Sequence, residues 1–328
     1  MTIYTFGPIY QERIWGGSAL ASLYGRTLPA PDRIGESWEV VDRPEAVSPL
    51  FALTENPDQA PEAKGTLHDL WTSSRAEVFG ERAPKAERFP ILIKLLDCRE
   101  TLSIQVHPPA AIAPQLKGEP KTEMWYFLHT EPGAKIYAGL KKGVTADAFK
   151  AAIGTPGLAA LLHELPTEPG EAMFLPSGRV HAIGAGNLIL EIQQNSDTTY
   201  RVDDWGRIDK DGKPRALHIE ESKLSIDYGD FEPLFAQPHG ERVVESAYFA
   251  THRVFLYPGE FRTYNPNKQS FNYHFVARGT VKIGERSFKP GDGFLLPASA
   301  PQYDVVAQAG KGGDQEEMVE LVTVSFPR

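Results

Sequence analysis

The chain reads as a mainly β protein made of two barrel-like halves, and three features of the sequence lead there. Its 27 prolines and 29 glycines are spread along all 328 residues with short apolar runs between them, the pattern of strands joined by turns and not of a helical bundle. Several of those runs alternate with period two, as in TLSIQVHP and NLILEIQQN. Finally, KPGDGFLLPASAPQY (289–303) repeats the frame of EPGEAMFLPSGRVHA (168–182). Pro290-Gly291 matches Pro169-Gly170, Pro297 matches Pro176, and Gln302 falls where His181 stands.

With 41% hydrophobic and 23% charged residues, a chain of this length can bury a sizeable core and suggests about two domains. Its net charge is -9 with no run of basic residues, so no nucleic-acid partner is expected. No apolar run approaches the ~20 residues of a bilayer span. The start MTIYTFGPIYQERIWGG also lacks a basic leader followed by an apolar stretch, and a cytoplasmic protein without membrane contact is expected. The single Cys98, in the turn DCRE, excludes an internal disulfide framework and a multi-cysteine zinc cage, and reads as a free bystander thiol.

Residues 1–50 alternate apolar stretches with turn signals and present two clusters, Arg13-Ile14-Trp15-Gly16-Gly17 and Gly35-Glu36-Ser37-Trp38-Glu39. Trp15 and Trp38 either fill the core between strands, the common fate of tryptophan, or line a site. From Asn56 to Arg88 the pattern turns helical, with Leu67, Leu70 and Trp71 at i, i+3 and i+4 behind a Thr66 N-cap. Phe89-Pro90 then opens ILIKLL, and TLSIQVHP follows the DCRE turn closely enough for the two strands to form a hairpin. Lys94, inside ILIKLL, is either an edge lysine with a snorkelling stem or a cation aimed into the barrel. In the second strand Leu102, Ile104 and Val106 face one way, and Ser103, Gln105 and His107 the other. Lys121-Thr122-Glu123 begins the next strand and puts a carboxylate directly before an apolar run. Residues 143–163 read as short helices, Thr145 capping ADAFKAAI and Thr155-Pro156 opening another.

The stretch from Pro169 to Arg207 organises the rest. From Gly170 it runs through Pro176 and Gly178 to His181, so that a strand ends in a Pro/Gly turn and the next opens with histidine. In NLILEIQQN, Leu188, Leu190 and Ile192 share one face while Glu191, Gln193 and Asn195 share the other. After the Asn195-Ser196-Asp197 turn, Tyr200 and Val202 alternate with Arg201 and Asp203. Arg201 joins the polar face, either in a structural ion pair with Asp203 or as a working cation. Gln105, His107, Glu123 and His181 together form a mixed oxygen and nitrogen donor set that suits Zn, Mn, Fe, Co or Ni. In the repeated frame Ser299 replaces glycine and Gln302 replaces histidine, so the second half keeps the turn and loses the ligand. Residues 228–245, loose and rich in proline and charge, read as a linker.

The Gly170-to-His181 spacing resembles the second signature segment of cupin barrels. Taken together, IWGG, GESWE, LSIQVHP, KTEMWY, that segment and LEIQQNSDTTYRVDDWGR resemble the type I mannose-6-phosphate isomerases, especially the short bacterial forms, in the same order and over most of the chain. The resemblance implies two cupin-like β-barrels: a catalytic, metal-binding domain over 1–227 with a helical insert near 56–88, and a degenerate domain without a metal site over 228–328. It implies one zinc ion on Gln105, His107, Glu123 and His181, and interconversion of mannose 6-phosphate and fructose 6-phosphate without a redox cofactor. By the same position-by-position likeness, Arg201 and Glu191 are catalytic candidates, Lys121 a substrate-contacting lysine counted with them, and Ser103 and Arg207 phosphate contacts; Lys94 and Trp15, from the reading of the residues, are further candidate substrate contacts. Two departures stand out. Many relatives carry Asp where this chain has Pro109, and long forms carry Lys where it has Arg207, and both bear on phosphate contact and not on the metal.

The chemistry can be argued apart from the likeness. An aldose-ketose isomerase moves a proton between C1 and C2 through an enediol, and a divalent metal with cationic Arg201 and Lys121 stabilises the oxyanion. Glu191 is a candidate base because a carboxylate in a partly dry pocket titrates nearer neutrality, with His, Lys or a direct hydride shift as alternatives. A sugar phosphate is the expected partner, for a monomer or homodimer. Two rival readings are a non-catalytic sugar-phosphate-binding cupin and an iron cupin dioxygenase. The dioxygenase usually shows two closely spaced histidines, whereas Gln105 here precedes a single His107.

Overall fold

The computed structural model describes residues 1–30, 33–209, 212–309 and 318–328. The chain is mainly β, as expected, and it divides into two compact units that interleave in sequence. One comprises Met1–Ile9, Trp38–Leu92 and Gln237–Arg328, and the other Tyr10–Ser37 and Ile93–Ala236. This partition differs from the 1–227 and 228–328 boundaries read from the sequence. Its cause is long-range pairing: Tyr4 lies opposite Ala52 in one neighbouring strand and Leu295 in the other, which draws the N-terminal strand into the sheet of the C-terminal residues. Among the described residues no helix is long and apolar enough to cross a membrane.

Each unit is a pair of antiparallel sheets with open edges, the form in which the cupin-like, jelly-roll barrels expected from the sequence are built. In the unit of residues 10–37 and 93–236, one sheet runs Ala172–Leu175, Glu123–Thr130, Asn187–Gln194, Ile91–Cys98, Ile34–Val40, Ile9–Gly17. The other runs Leu162–Pro166, Lys135–Leu140, His181–Ile183, Ile104–Val106, Tyr200–Asp203. Trp125, Phe127, Met173 and Ile189 from the first sheet pack with Ile136, Ala138, Leu165 and Ile183 from the second, so the inner faces of the two share one core. Each fully buried Phe, Met, Leu or Ile among them contributes about 1.5–3 kcal/mol. On the outer face of the smaller sheet, Ile104, Val106, Tyr200 and Val202 pack beneath Phe149, Leu158 and Ile226.

Three local readings change in the structure. The strands Ile91–Cys98 and Ile104–Val106 do not form a hairpin: the first pairs within the larger sheet and the second with His181–Ile183 and Tyr200–Asp203 in the smaller one. The DCRE turn therefore carries the chain from one wall of the sandwich to the other. The helical insert is confined to Leu67–Ser74, continued by the π-turn Arg75–Phe79, because Glu62–Thr66 is instead a strand paired with Pro49–Leu53. Thr66 is its N-cap, accepting from the Asp69 amide in a reciprocal capping box. Thr145 likewise caps Ala146–Ala152, but Thr155-Pro156 opens only turns ahead of the short 3-10 segment Ala159–Leu161.

The repeat seen in the sequence is a repeat of topology. Glu123–Thr130 lies between Ala172–Leu175 and Asn187–Gln194, and in the other unit Asn272–Arg278 lies between Gly293–Leu296 and Val319–Ser325 in the same way. Gly170 N donates to Phe127 O at 2.8 Å and Gly291 N to Val276 O at 2.9 Å. The two glycines have φ of 85° and 87°, a left-handed turn that a side chain would strain.

Candidate metal and substrate site

The donor set assembles from both walls of one sandwich. Gln105 is paired with His181 on one side and Arg201 on the other, which lines up three side chains of the smaller sheet. Facing them, the larger sheet presents Lys94, Glu123 and Glu191. The turn Pro176–Gly178 aims His181: Gly178 has a φ of 96° and its amide donates to the carbonyl of His107, so the two histidines are tied through the backbone.

His107, Glu123 and His181 offer ligand atoms within 4.8 Å of one another, and all three are buried. Glu123 Oε2 lies 3.5 Å from His107 Nε2, and Oε1 lies 3.4 Å from His181 Nε2. Nδ1 of His107 donates to Thr198 O at 2.8 Å and Nδ1 of His181 to Arg179 O at 2.9 Å, a tautomer that leaves each Nε2 as a lone pair facing the carboxylate. Burial lowers the pKa of both rings, that of His181 to about 3, so both are neutral and competent as ligands. His107 Nε2 and both Glu123 oxygens are buried without a hydrogen-bond partner. Lys121 Nζ stands 2.6 Å from Glu123 Oε2 as an ion pair. Orphaned atoms on His107 and Glu123, converging with Nε2 of the equally buried His181, fit a divalent cation.

Gln105 completes the set by proximity. Its Nε2 lies 3.3 Å from His181 Nε2, and its Oε1 accepts from Ser103 Oγ at 3.2 Å. Because a hydroxyl can donate or accept, the amide can exchange its ends and turn Oε1 toward the cluster without losing Ser103.

A cavity of about 450 Å³ opens beside this cluster, lined among others by Trp15, Lys94, Ser103, Gln105, Lys121, Glu191 and Arg201. Burial pushes the Glu191 carboxyl up to about 7, with Glu123 adding to the effect and Lys121 and Lys94 opposing it. Its Oε1 accepts from Trp125 Nε1 at 3.1 Å. Burial works against the Lys121 ammonium, yet Glu123 and Glu191 outweigh it and hold its pKa above the usual lysine range. Lys94 lies in the interior and not at an edge, within 3.6 Å of Glu36 and 3.8 Å of both Glu191 and Asp197. Trp15 serves both of its readings, since it belongs to the buried core and also lines the cavity. Trp38 packs in the core with Val41 and Leu92.

Arg201 donates through Nη1 to Ala216 O at 2.7 Å, and its Nε is buried with no hydrogen bond. The partner expected for it, Asp203, instead accepts from the Trp205 amide at 2.7 Å. Arg207 is not among the residues that line the cavity; its Nη2 donates to Thr101 O, and its Nη1 is buried without a hydrogen-bond partner. Leu102 does line the cavity, together with Ser103, because regular alternation begins only with the strand at Ile104. The sequence reading assigned no role to Arg33, Arg215 or Asp197, which also line it. They lie outside the strands, where no periodicity marks them. Arg13, from the IWGG cluster, lines the cavity as well, its Nε 3.0 Å from Glu36. Gly16 and Gly35 permit that approach, because a Cβ on Gly16 would meet Gly35 N at 2.4 Å.

The chain is 37% identical over 319 residues to the mannose-6-phosphate isomerase ManA of Bacillus subtilis, covering 93% of this chain and 96% of that protein. The chain belongs to the type I phosphomannose isomerases. The family described as "Phosphomannose isomerase type I, catalytic domain" matches residues 3–124. A mannose-6-phosphate isomerase of Streptococcus mutans is 38% identical over 298 residues, covering 87% of this chain and 89% of its own. The crystal structure of the mannose 6-phosphate isomerase from Bacillus subtilis superposes with a TM-score of 0.82 at 28% identity, covering 99% of each chain. For this phosphomannose isomerase family member, the duplicated β architecture and the His-Glu-His cluster thus stand on a shared scaffold.

Proposed function

We propose that the chain interconverts mannose 6-phosphate and fructose 6-phosphate through an enediol, with Glu191 as the base and zinc as the metal. One observation carries this reading: a carboxyl with its pKa raised to about 7 lines the same cavity as Lys121 and Arg201, beside the buried His-Glu-His cluster. His107, Glu123 and His181, with Gln105 turned by its amide, would hold the ion, and two imidazoles with one carboxylate suit zinc. A divalent cation bound there supplies Lewis acidity toward the sugar's C1 and C2 oxygens.

The chain's own residues do the rest. Glu191 takes the C2 proton of the aldose and returns it to C1, while the hydroxyl proton passes from O2 to O1, so no atom is gained or lost. A carboxyl near pH 7 is poised to do both. Arg201, with Nε unsatisfied beside the cavity, and Lys121 present fixed positive charge to the developing enediolate, an arrangement that costs no reorganisation during the reaction. Trp125 holds Glu191 through one oxygen and leaves the other for the substrate. Ser103 offers a hydroxyl, and Lys94 and Trp15 a cation and an apolar wall, to the remainder of the sugar phosphate. The unit of residues 10–37 and 93–236 is on this reading the catalytic one, and the other carries no metal. A coupled isomerase assay on mannose 6-phosphate, run before and after chelation and zinc readdition, tests it. Turnover that survives complete metal removal rejects the reading.

A further inference from the structure

The duplication allows the two units to be compared position by position. Leu175 lies opposite Glu123 and Leu296 opposite Asn272, so an amide occupies the place of the metal-binding carboxylate. By the same registers His274 stands for Trp125 and Thr323 for Glu191. The contact between them persists: His274 Nδ1 lies 2.9 Å from Thr323 Oγ1 where Trp125 Nε1 meets Glu191. The position of His181 holds an exposed Gln302. The metal chemistry is gone, yet the interior stays polar. His274 Nε2 and Asn272 Nδ2 both reach Tyr303 Oη, at 2.8 and 3.0 Å, and Tyr264 stacks on Tyr303 with centroids 5.4 Å apart.

This polar floor opens on a cavity of about 820 Å³, larger than the one beside the metal cluster, with Tyr264, Asn272 and Thr323 among its lining. Its charge runs against that of the chain. Arg82, Arg242, Arg262 and Arg328 line it against only Glu241 and Glu245, in a protein of net charge -9. Arg262 is paired with Glu241 and Arg242 with Glu245, each at 2.8 Å. The guanidinium groups of Arg82 and Arg328 form no ion pair among the described residues. Two forks outside any ion pair, that of Arg328 within the field of Glu245, favour a phosphate, and hydroxyls and amides beside a stacked aromatic pair favour a sugar.

We propose that this cavity is a second binding site, metal-independent and non-catalytic, for a small phosphorylated sugar. It holds no counterpart of the Glu191 carboxylate or of the His-Glu-His cluster, so it binds without converting. The site stands on its own geometry and does not depend on the isomerase reading.

Calorimetric titration of the metal-loaded protein with glucose 6-phosphate, inorganic phosphate and glucose tests the proposal. Glucose 6-phosphate should bind at this cavity, whether or not the metal-side cavity also takes it. That binding should weaken at least about 10-fold in the R82A/R328A double variant, whose isomerase turnover at saturating substrate should match the parent. Glucose alone should leave that site empty. Inorganic phosphate binding there as tightly as glucose 6-phosphate would make it a plain anion site and overturn the sugar assignment. Glucose 6-phosphate binding that is wholly unchanged in the double variant would overturn the proposal outright. Soaked crystals give an independent reading, since density confined to the cavity at His107, Glu123 and His181 would also reject it.

Discussion

The indole N–H of Trp125 donates to Oε1 of Glu191 at 3.1 Å, and the two residues face each other directly in neighbouring strands. Both side chains are buried, Trp125 fully and Glu191 at the wall of the cavity. The indole donor fixes one carboxylate oxygen and favours the ionised form. Burial sets the Glu191 pKa to about 7, and a bound cation lowers it, so kcat/KM should rise with pH along a limb at or below 7. Trp125→Phe should move that limb to higher pH and lower kcat with little change in KM, and Glu191→Gln should erase it and cost ~10²-fold or more. A Glu191→Gln enzyme that keeps the limb would assign the base to another group.

Metal content should follow the asymmetry of the two units. His181→Ala removes a ligand from a cluster whose other members are already orphaned, and should bring bound metal from about one per chain to near zero with loss of activity. Gln302 is exposed, and Gln302→Ala should leave both unchanged. Elemental analysis of dialysed protein decides, and two tightly held ions per chain would contradict the assignment.

The legible and the hidden parts of this site differ for physical reasons. Gln105, His107, Glu123, His181, Glu191 and Arg201 lie on or beside strands, where period two puts alternate residues on one face, and their convergence could be read ahead of any coordinates. The partnership of Lys94 with them was only half visible. A short turn between ILIKLL and TLSIQVHP suggests adjacent strands, whereas the chain crosses between sheets and brings Lys94 in from the opposite wall. Arg33, Arg215 and Asp197 lie outside the strands, where nothing periodic announces a direction. The interleaved units were hidden for another reason: Tyr4 pairing with Leu295 joins residues nearly a chain length apart, and local pattern carries no trace of such a pairing. The repeat of Pro169-Gly170 in Pro290-Gly291 was plain, but the substitution of Asn272 for Glu123 emerges only from strand register.

Arg201 should act on turnover more than on binding. Its Nη1 is committed to Ala216 O while Nε is buried and free of hydrogen bonds, a donor held in place before any charge develops. Arg201→Ala should lower kcat by ~10²-fold or more with a small change in KM. Unchanged kcat with raised KM would make it a ground-state binder.

The phosphate end can be assigned by comparing two arginines. Arg33 lines the cavity and its guanidinium makes no ion pair among the described residues, whereas Arg207 is absent from the cavity lining and donates through Nη2 to Thr101 O. Arg33→Ala should therefore raise KM for mannose 6-phosphate while sparing kcat and metal content. Arg207→Ala should lower the melting temperature and leave KM near the parent value. A rise in KM confined to Arg207→Ala would return the phosphate to Arg207, as the sequence resemblance implies.

Acid stability should depend on His274. This side chain is wholly enclosed, hydrogen-bonded through both nitrogens to Thr323 and Tyr303, and burial lowers its pKa to about 3. In the unfolded chain the ring takes up a proton near pH 6.5, while in the folded chain it stays neutral until about pH 3. Between those values the unfolded state binds more protons, so stability rises with pH there. The stability is complete above pH 6.5 and is lost as pH falls toward 3, by up to about 1.4 kcal/mol per pH unit from this one group. His274→Gln keeps a hydrogen-bonding side chain but removes the titration. The variant is expected to be less stable at pH 7.5, with a shallower loss of denaturation free energy between pH 6.5 and 4.5 than the parent. Parallel urea-denaturation curves across that range in both proteins would show that His274 is protonated as readily folded as unfolded, against the enclosed geometry.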